Sequence, residues 1–414
     1  MTEMTMNERA RAVLRGNDRG GYTIPTDGLY PYQWNWDSAF SALGFATFDR
    51  ARAWEELEKL FEAQWPNGMV PHIIFRADEP GYFPGPSIWQ ADMGPMPSSG
   101  ISQPPVVASV IRALAEAEPE QAAGFIKRID AWHEWWHRAR DPKGTGVIAI
   151  THPWESGRDN LPDWDRPGDM IDVSGVGEYT RSDTSLVDND MRPEKQDYDR
   201  YLALVYFGRE RQWDPEKIAV ENPFFVADPG ITSILLRAEK DLHVLARGAG
   251  HETARIEDRI TRLENGLELL WNEDAGGYVA RDMRSGDQSR RASAASFLPL
   301  YAGILTHKEE LLTTLREFAE RVRYLVPSFD PRDEHFDHIR YWRGPAWAMI
   351  NFMIANGLRD IGEYNWADRI RSDTRELIRN GGFAEYFSPI DGRGCGGGTF
   401  SWTAAIWLAW ELDE

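Results

Sequence analysis

The chain has 414 residues, a single cysteine and a formal net charge of −20, from 46 Lys and Arg against 66 Asp and Glu. Without a basic cluster, this balance argues against nucleic acid and anionic membrane surfaces as partners. Cys395 alone excludes an intrachain disulfide, and the absence of an 18-residue apolar run excludes a conventional transmembrane helix.

In chain order, the opening MTEMTMNERARAVLRGN is charged and helical in pattern. It lacks the apolar stretch of a secretory signal, so a cytoplasmic location is the expectation. Apolar spacing of three and four then predicts helices over 37–47, 50–63, 104–117, 121–139, 197–209, 229–246 and 253–272. The same spacing predicts helices over 293–304, 308–324, 344–357, 362–379 and 401–411. Asn67-Gly68 and Asn380-Gly381-Gly382 mark helix ends. Short β-like pieces at 69–75 and 146–151 are too few for a large sheet. Short turns alternate with long loops at 64–103, 140–196, 325–343 and 380–400, rich in Trp, Tyr, Gly, Pro and Asp. Helix pairs in a closed ring, with functional loops on one face, would give this alternation. The expected fold is an all-α (α/α)6 barrel, and no linker divides it, so 1–414 reads as one domain. An irregular α-helical protein is the plainer alternative.

Five segments could carry chemistry. In YPYQWNWD, Asp37 could cap the following helix or bind sugar hydroxyls. Trp34 and Trp36 could pack in the core, but at least one should face a cleft. HPWESGRDN presents Glu155 and Asp159 in a loop. Arg158 would ionise Asp159 if the two paired, whereas a general acid keeps its proton by burial against rings such as Trp154 or Trp164. Asp163, Asp165, Asp169 and Asp172 compete for any role. RYWRGPAW offers Arg343, which could hold a carboxylate bidentately, stack on a ring, or form a supporting salt bridge. Pro345 there suits a first helical turn. GGFAEYFSPIDGRGCGGGTFSWT sets Glu385 between glycines and aromatics, with Gly396-Gly397-Gly398 permitting close backbone approach. Cys395 reads as a small buried residue, and the nine histidines show no metal-ligand spacing. DNDMRPEKQDYDRY reads as a solvated rim or lid whose Arg192 and Tyr198 could meet an anionic ligand.

Together these segments, with QWPNGMVPH at 64–72 and SSGISQPP at 98–105, resemble glycoside hydrolase family 63, in its short bacterial branch of mannosylglycerate and glucosylglycerate hydrolases. The resemblance implies hydrolysis with inversion, Asp159 as general acid and Glu385 as general base, their carboxyls roughly 6.5–9.5 Å apart. It also implies Tyr30, Trp34, Trp36, Asp37, Gln103, Tyr341, Trp342 and Trp347 around the sugar, Trp402 beside them by motif, and Arg192 and Tyr198 at the glycerate carboxylate. No cofactor or metal is required by that chemistry. The expected substrate is a glycosylglycerate. The sequence is compatible with a homo-oligomer and fixes no stoichiometry. A trehalase-like disaccharidase and a non-catalytic sugar-binding protein are the alternatives.

Overall fold

The computed structural model describes residues 4–410, and they are mostly helical. The principal helices are α1 (Met6–Asn17), α2 (Asn35–Phe45), α3 (Arg50–Phe61), α4 (Val107–Leu114), α5 (Ile126–Arg140), α6 (Lys195–Glu210) and α7 (Pro229–Gly248). They continue as α8 (Ala254–Leu267), α9 (Leu298–Tyr301), α10 (Lys308–Ala319), α11 (Ala348–Asp360), α12 (Tyr364–Gly381) and α13 (Ser401–Ala409).

The packing is cyclic. Helix α2 packs on α4, α4 on α7, α7 on α9, α9 on α11, α11 on α13, and α13 returns to α2. A second set lies outside: α1 against α13, α3 against α2, α5 and α8 against α7, and α12 against α11. Composition explains the two sets. Every residue of α2 and α13 is buried, so these helices are covered all round. Helices α3, α8 and α12 bury only one stripe and carry charges on the other face, as surface helices do. The first and last helices are tied directly: the Asn17 side-chain amide donates to Thr399 O (2.8 Å) and Ser401 Oγ (2.9 Å).

Strands are two residues long, and the largest sheet joins Ala149–Ile150, Val226–Ala227 and Arg281–Asp282. The pairing that matters for the site is Gln33–Trp34 with Ile73–Ile74, antiparallel, with Trp34 opposite Ile73. It brings the two aromatic loops before α2 and after α3 together. No helix among the described residues is long and apolar enough to cross a membrane.

The predicted elements are recovered with local differences. The 121–139 prediction splits into Pro119–Ala123 and α5, broken around Gly124. The 293–304 prediction is a 3-10 turn at Ala294–Phe297 followed by the single turn of α9. The 344–357 helix begins only at Ala348, so Pro345 precedes it; the residues before it carry backbone hydrogen bonds to neighbouring loops instead. A helix at Pro215–Glu221, capped by Asp214, was not anticipated. The last predicted residue of 401–411, and Met1 to Glu3 of the N-terminal segment, lie outside the described residues.

Candidate active site

A cleft opens at the loop end of the helical ring. Asp159 and Glu385 both line it, although 226 residues separate them in sequence. Tyr30, Trp34, Trp36, Asp37, Gln103, Arg192, Tyr198, Tyr341, Trp342 and Trp402 line it too.

Asp159 hangs from a loop held on every side. The turn Pro153–Ser156 ends at Gly157, whose φ of +66° favours glycine and where a Cβ would meet the Trp36 ring at 2.6 Å. Beyond it, the Trp164 indole N–H donates to Arg158 O (2.7 Å), and Asn160 Oδ1 accepts the Trp342 N–H (2.9 Å). Asp159 is half-buried at the cleft. That cleft is deep and ring-walled, so burial pushes the carboxyl up to about 7; Arg192 pulls it down and Glu385 pushes it up. A carboxyl tuned this way holds a proton near neutral pH.

Glu385 is fully buried but surrounded by donors. Its Oε1 accepts from the Tyr30 hydroxyl (3.1 Å), and Oε2 faces Arg192 Nη1 (3.3 Å) and the Gly397 N–H (3.4 Å). A Cβ at Gly396, with φ +72°, would lie 2.2 Å from Oε2, so the predicted close backbone approach is made against the carboxylate itself. Burial raises the Glu385 pKa, and Arg192, Tyr30 and Gly397 oppose it. The Trp402 indole donates to Glu385 O (3.1 Å) and fixes the backbone there.

The rings form the walls. Trp34 closes the short strand, Trp36 is the second residue of α2, and both line the cleft. Trp342 lies beside Trp36 (centroids 6.4 Å apart), and Trp402 meets Trp36 edge-on (5.9 Å). Tyr341 has a left-handed backbone (φ +46°), and its hydroxyl bonds the Tyr30 hydroxyl (3.1 Å). Strain of this kind gathers at functional sites. The backbone N–H of Trp36 donates to Gln103 Oε1 (3.4 Å).

Several expectations need correction. Asp37 caps nothing: it is the third residue of α2, Trp34 holds the cap position, and Asp37 Oδ1 is buried without a partner in the cleft wall. Burial raises its pKa well above the ordinary value. Arg343 does not line the cleft. It grips Asp165 with both guanidinium nitrogens (2.9 and 2.7 Å) and reaches Asn160 O (3.3 Å), bracing the Asp159 loop. Trp347 lies one layer behind, stacked on Trp342 (3.8 Å) and Tyr386 (4.6 Å), because Trp342 already occupies the front. The 188–201 segment is not simply solvated: Arg192 is buried, its Nη2 donating to the Tyr30 hydroxyl (2.6 Å) and its Nε to Asp183 (3.0 Å). Arg158 does not pair with Asp159; its partner is Asp228. Glu155 is locked to Arg140 in the interior, away from the cleft. Cys395 is buried, and burial pushes its thiol up to about 11.

Sequence reasoning left Tyr82, Pro84, His72 and Phe400 out of the site, yet all line the cleft. His72 had a usable signal, since it precedes the strand that pairs with Trp34. Burial holds its imidazole neutral. Ser99 Oγ accepts the Ile73 N–H (3.0 Å) and lies 2.9 Å from His72 Nδ1, and His72 Nε2 is buried without a partner.

A helical ring around a ring-walled cleft, with one proton-holding and one donor-surrounded carboxyl, is the architecture of a glycoside hydrolase. The mannosylglycerate hydrolase MGH1-like glycoside hydrolase domain matches residues 30–403, and the chain belongs to that family. It is similar to the mannosylglycerate hydrolase of Thermus thermophilus, at 45% identity over 97% of this chain and 99% of the relative. It is 34% identical to the glucosylglycerate hydrolase of Mycolicibacterium hassiacum, over 99% and 98% of the two chains. Among solved structures, the Thermus thermophilus GH63 mannosylglycerate hydrolase in complex with Tris and D-glycerate superposes with a TM-score of 0.95 at 44% identity, covering 98% of this chain and 100% of that one.

Proposed function

We propose that this glycoside hydrolase cleaves 2-O-α-mannosyl- or 2-O-α-glucosyl-D-glycerate, with inversion, to the free sugar and D-glycerate. The observation that carries the mechanism is the contrast between the two carboxyls of one cleft. Asp159, poorly hydrated and holding its proton, donates to the glycosidic oxygen as the bond from the anomeric carbon breaks; the bonding pair leaves with glycerate. Glu385, charged and steadied by Tyr30, Arg192 and Gly397, takes a proton from a water that attacks the opposite face. The product is the β-anomer.

Trp34, Trp36, Trp342 and Trp402 supply flat apolar faces for the sugar ring. Asp37 and His72 offer a buried oxygen and a buried ring nitrogen to its hydroxyls. Arg192, which donates to Asp183, Tyr30 and Glu385, supplies the positive charge for a carboxylate of the ligand. Tyr198, buried in the same wall, serves that end of the cleft. The cyclic packing of six inner helices, with further helices outside, supports reading residues 1–414 as one (α/α)6 barrel domain.

Incubation with mannosylglycerate, glucosylglycerate and trehalose, each assayed for released sugar, tests the substrate. Turnover of trehalose alone would overturn the acid-ligand reading. Early detection of the α-anomer by NMR would overturn inversion.

A further inference from the structure

Arg158 and Asp159 are neighbours in the chain, and a guanidinium left free beside Asp159 would draw off its proton. The structure sends Arg158 the other way. Its side chain is 3% exposed and paired with the fully buried Asp228, and it lies over the Trp164 ring at 5.8 Å. Asp228 is also the N-cap of α7, accepting the Gly230 N–H at 2.8 Å. A Cβ at Gly230 would sit 2.5 Å from Arg158 Nη2, so the guanidinium rests against the first turn of α7. That is the adverse end of a helix for a cation. One carboxylate answers both problems, capping the helix and cancelling the charge. The loop backbone is already held by Trp164, Ser156 and Asn160, so the ion pair adds control of charge to a loop otherwise fixed.

We propose that Asp228 is a positioning residue for the general acid: it holds Arg158 at the start of α7 and neutralises it there, so that Asp159 keeps its proton for the glycosidic oxygen. The inference rests on the reading of Asp159 as that acid. Two other acids face the pair. Asp163, pushed up to about 7, feels both Arg158 and Asp228, and Asp165 is occupied by Arg343. Asp159 itself faces Arg192, Glu385 and Asp183, with the hydroxyls of Tyr82, Tyr198, Tyr201 and Tyr341 around it. Among these, Arg192 is the cation.

The test is the pH profile of kcat/KM for the full chain on whichever glycosylglycerate it turns over. Asp228→Asn releases the Arg158 charge and moves the alkaline limb down by about one pH unit. Arg158→Met leaves the Asp228 charge unopposed and moves the limb up. The double variant removes both charges and returns the limb to within about 0.3 of the wild type, a cancellation that a purely structural role would not produce. An unmoved limb in both single variants, or a double variant displaced as far as the singles, overturns the inference. If Asp228→Asn does not fold, Arg158→Met and the double variant decide it in the same way. A wild-type enzyme with no alkaline limb, or an Asp159→Asn variant with full turnover, overturns the acid reading itself. A limb that is present but indifferent to the charge variants overturns this inference alone.

Discussion

The loop carrying Asp159 and the bend carrying Glu385 surround their carboxyls in one cleft by opposite means. Around Asp159 the neighbours are rings and the nearest guanidinium in sequence is tied elsewhere. Around Glu385 a hydroxyl, a guanidinium and a backbone N–H all point at the carboxylate. Burial by itself therefore assigns no role. The donors that accompany it separate a proton donor from a proton acceptor.

The largest effect should come from deleting either carboxyl. Asp159→Asn and Glu385→Gln should each lower turnover of the natural glycoside by about 1,000-fold or more. An aryl glycoside with a good leaving group should restore much of the Asp159→Asn loss and little of the other. Equal rescue would erase the distinction between the regions. Gly396→Ala, which drives a methyl into Glu385 Oε2, should cost about 100-fold in kcat; unchanged turnover in a steady-state assay would show that the base tolerates displacement.

The pH profile sharpens the comparison further. Activity should fall as pH rises past about 7, where Asp159 loses its proton, and fall on the acid side as Glu385 gains one. Arg192 lowers both pKa values. Arg192→Gln removes that charge and should move both limbs to higher pH, by about one unit, on a titrated kcat/KM profile. Trp34→Ala should weaken sugar binding by about 1–3 kcal/mol, measured by calorimetry with the free sugar. The smallest effect belongs to Arg343→Met. Loss of the partly exposed pair with Asp165 should cost about 1 kcal/mol of stability and a few-fold in kcat with KM unchanged. A large rise in KM would return Arg343 to the substrate.

Helices and loops were legible in the sequence because both are local: spacing of three and four shows in any window, as do clusters of Trp, Gly and Pro. Asp159 and Glu385 were legible through their motifs. Three things were not. The partner of Arg158 lies 70 residues on, at the cap of α7. The layer in which a ring sits depends on what already fills the front, so Trp342 and Trp347 look alike in RYWRGPAW and differ only after packing. The third is Asp37, where a residue type that commonly caps helices sits three positions too late to do so. His72 and Tyr82 lie in the aromatic 64–103 loop, and it is the pairing of Trp34 with Ile73 that puts His72 in the cleft.

The tie between Asn17 and Ser401 has a consequence for synthesis. A ribosome delivers α2 hundreds of residues before α13, yet α13 fills the gap between α2 and α11. Until it emerges, the flank of α2 that α13 covers lacks that partner, and Glu385, sixteen residues upstream of Ser401, has no Trp402 indole at its carbonyl. A chain stopped before Ser401 would lack both the cover over α2 and the indole that fixes the backbone at Glu385.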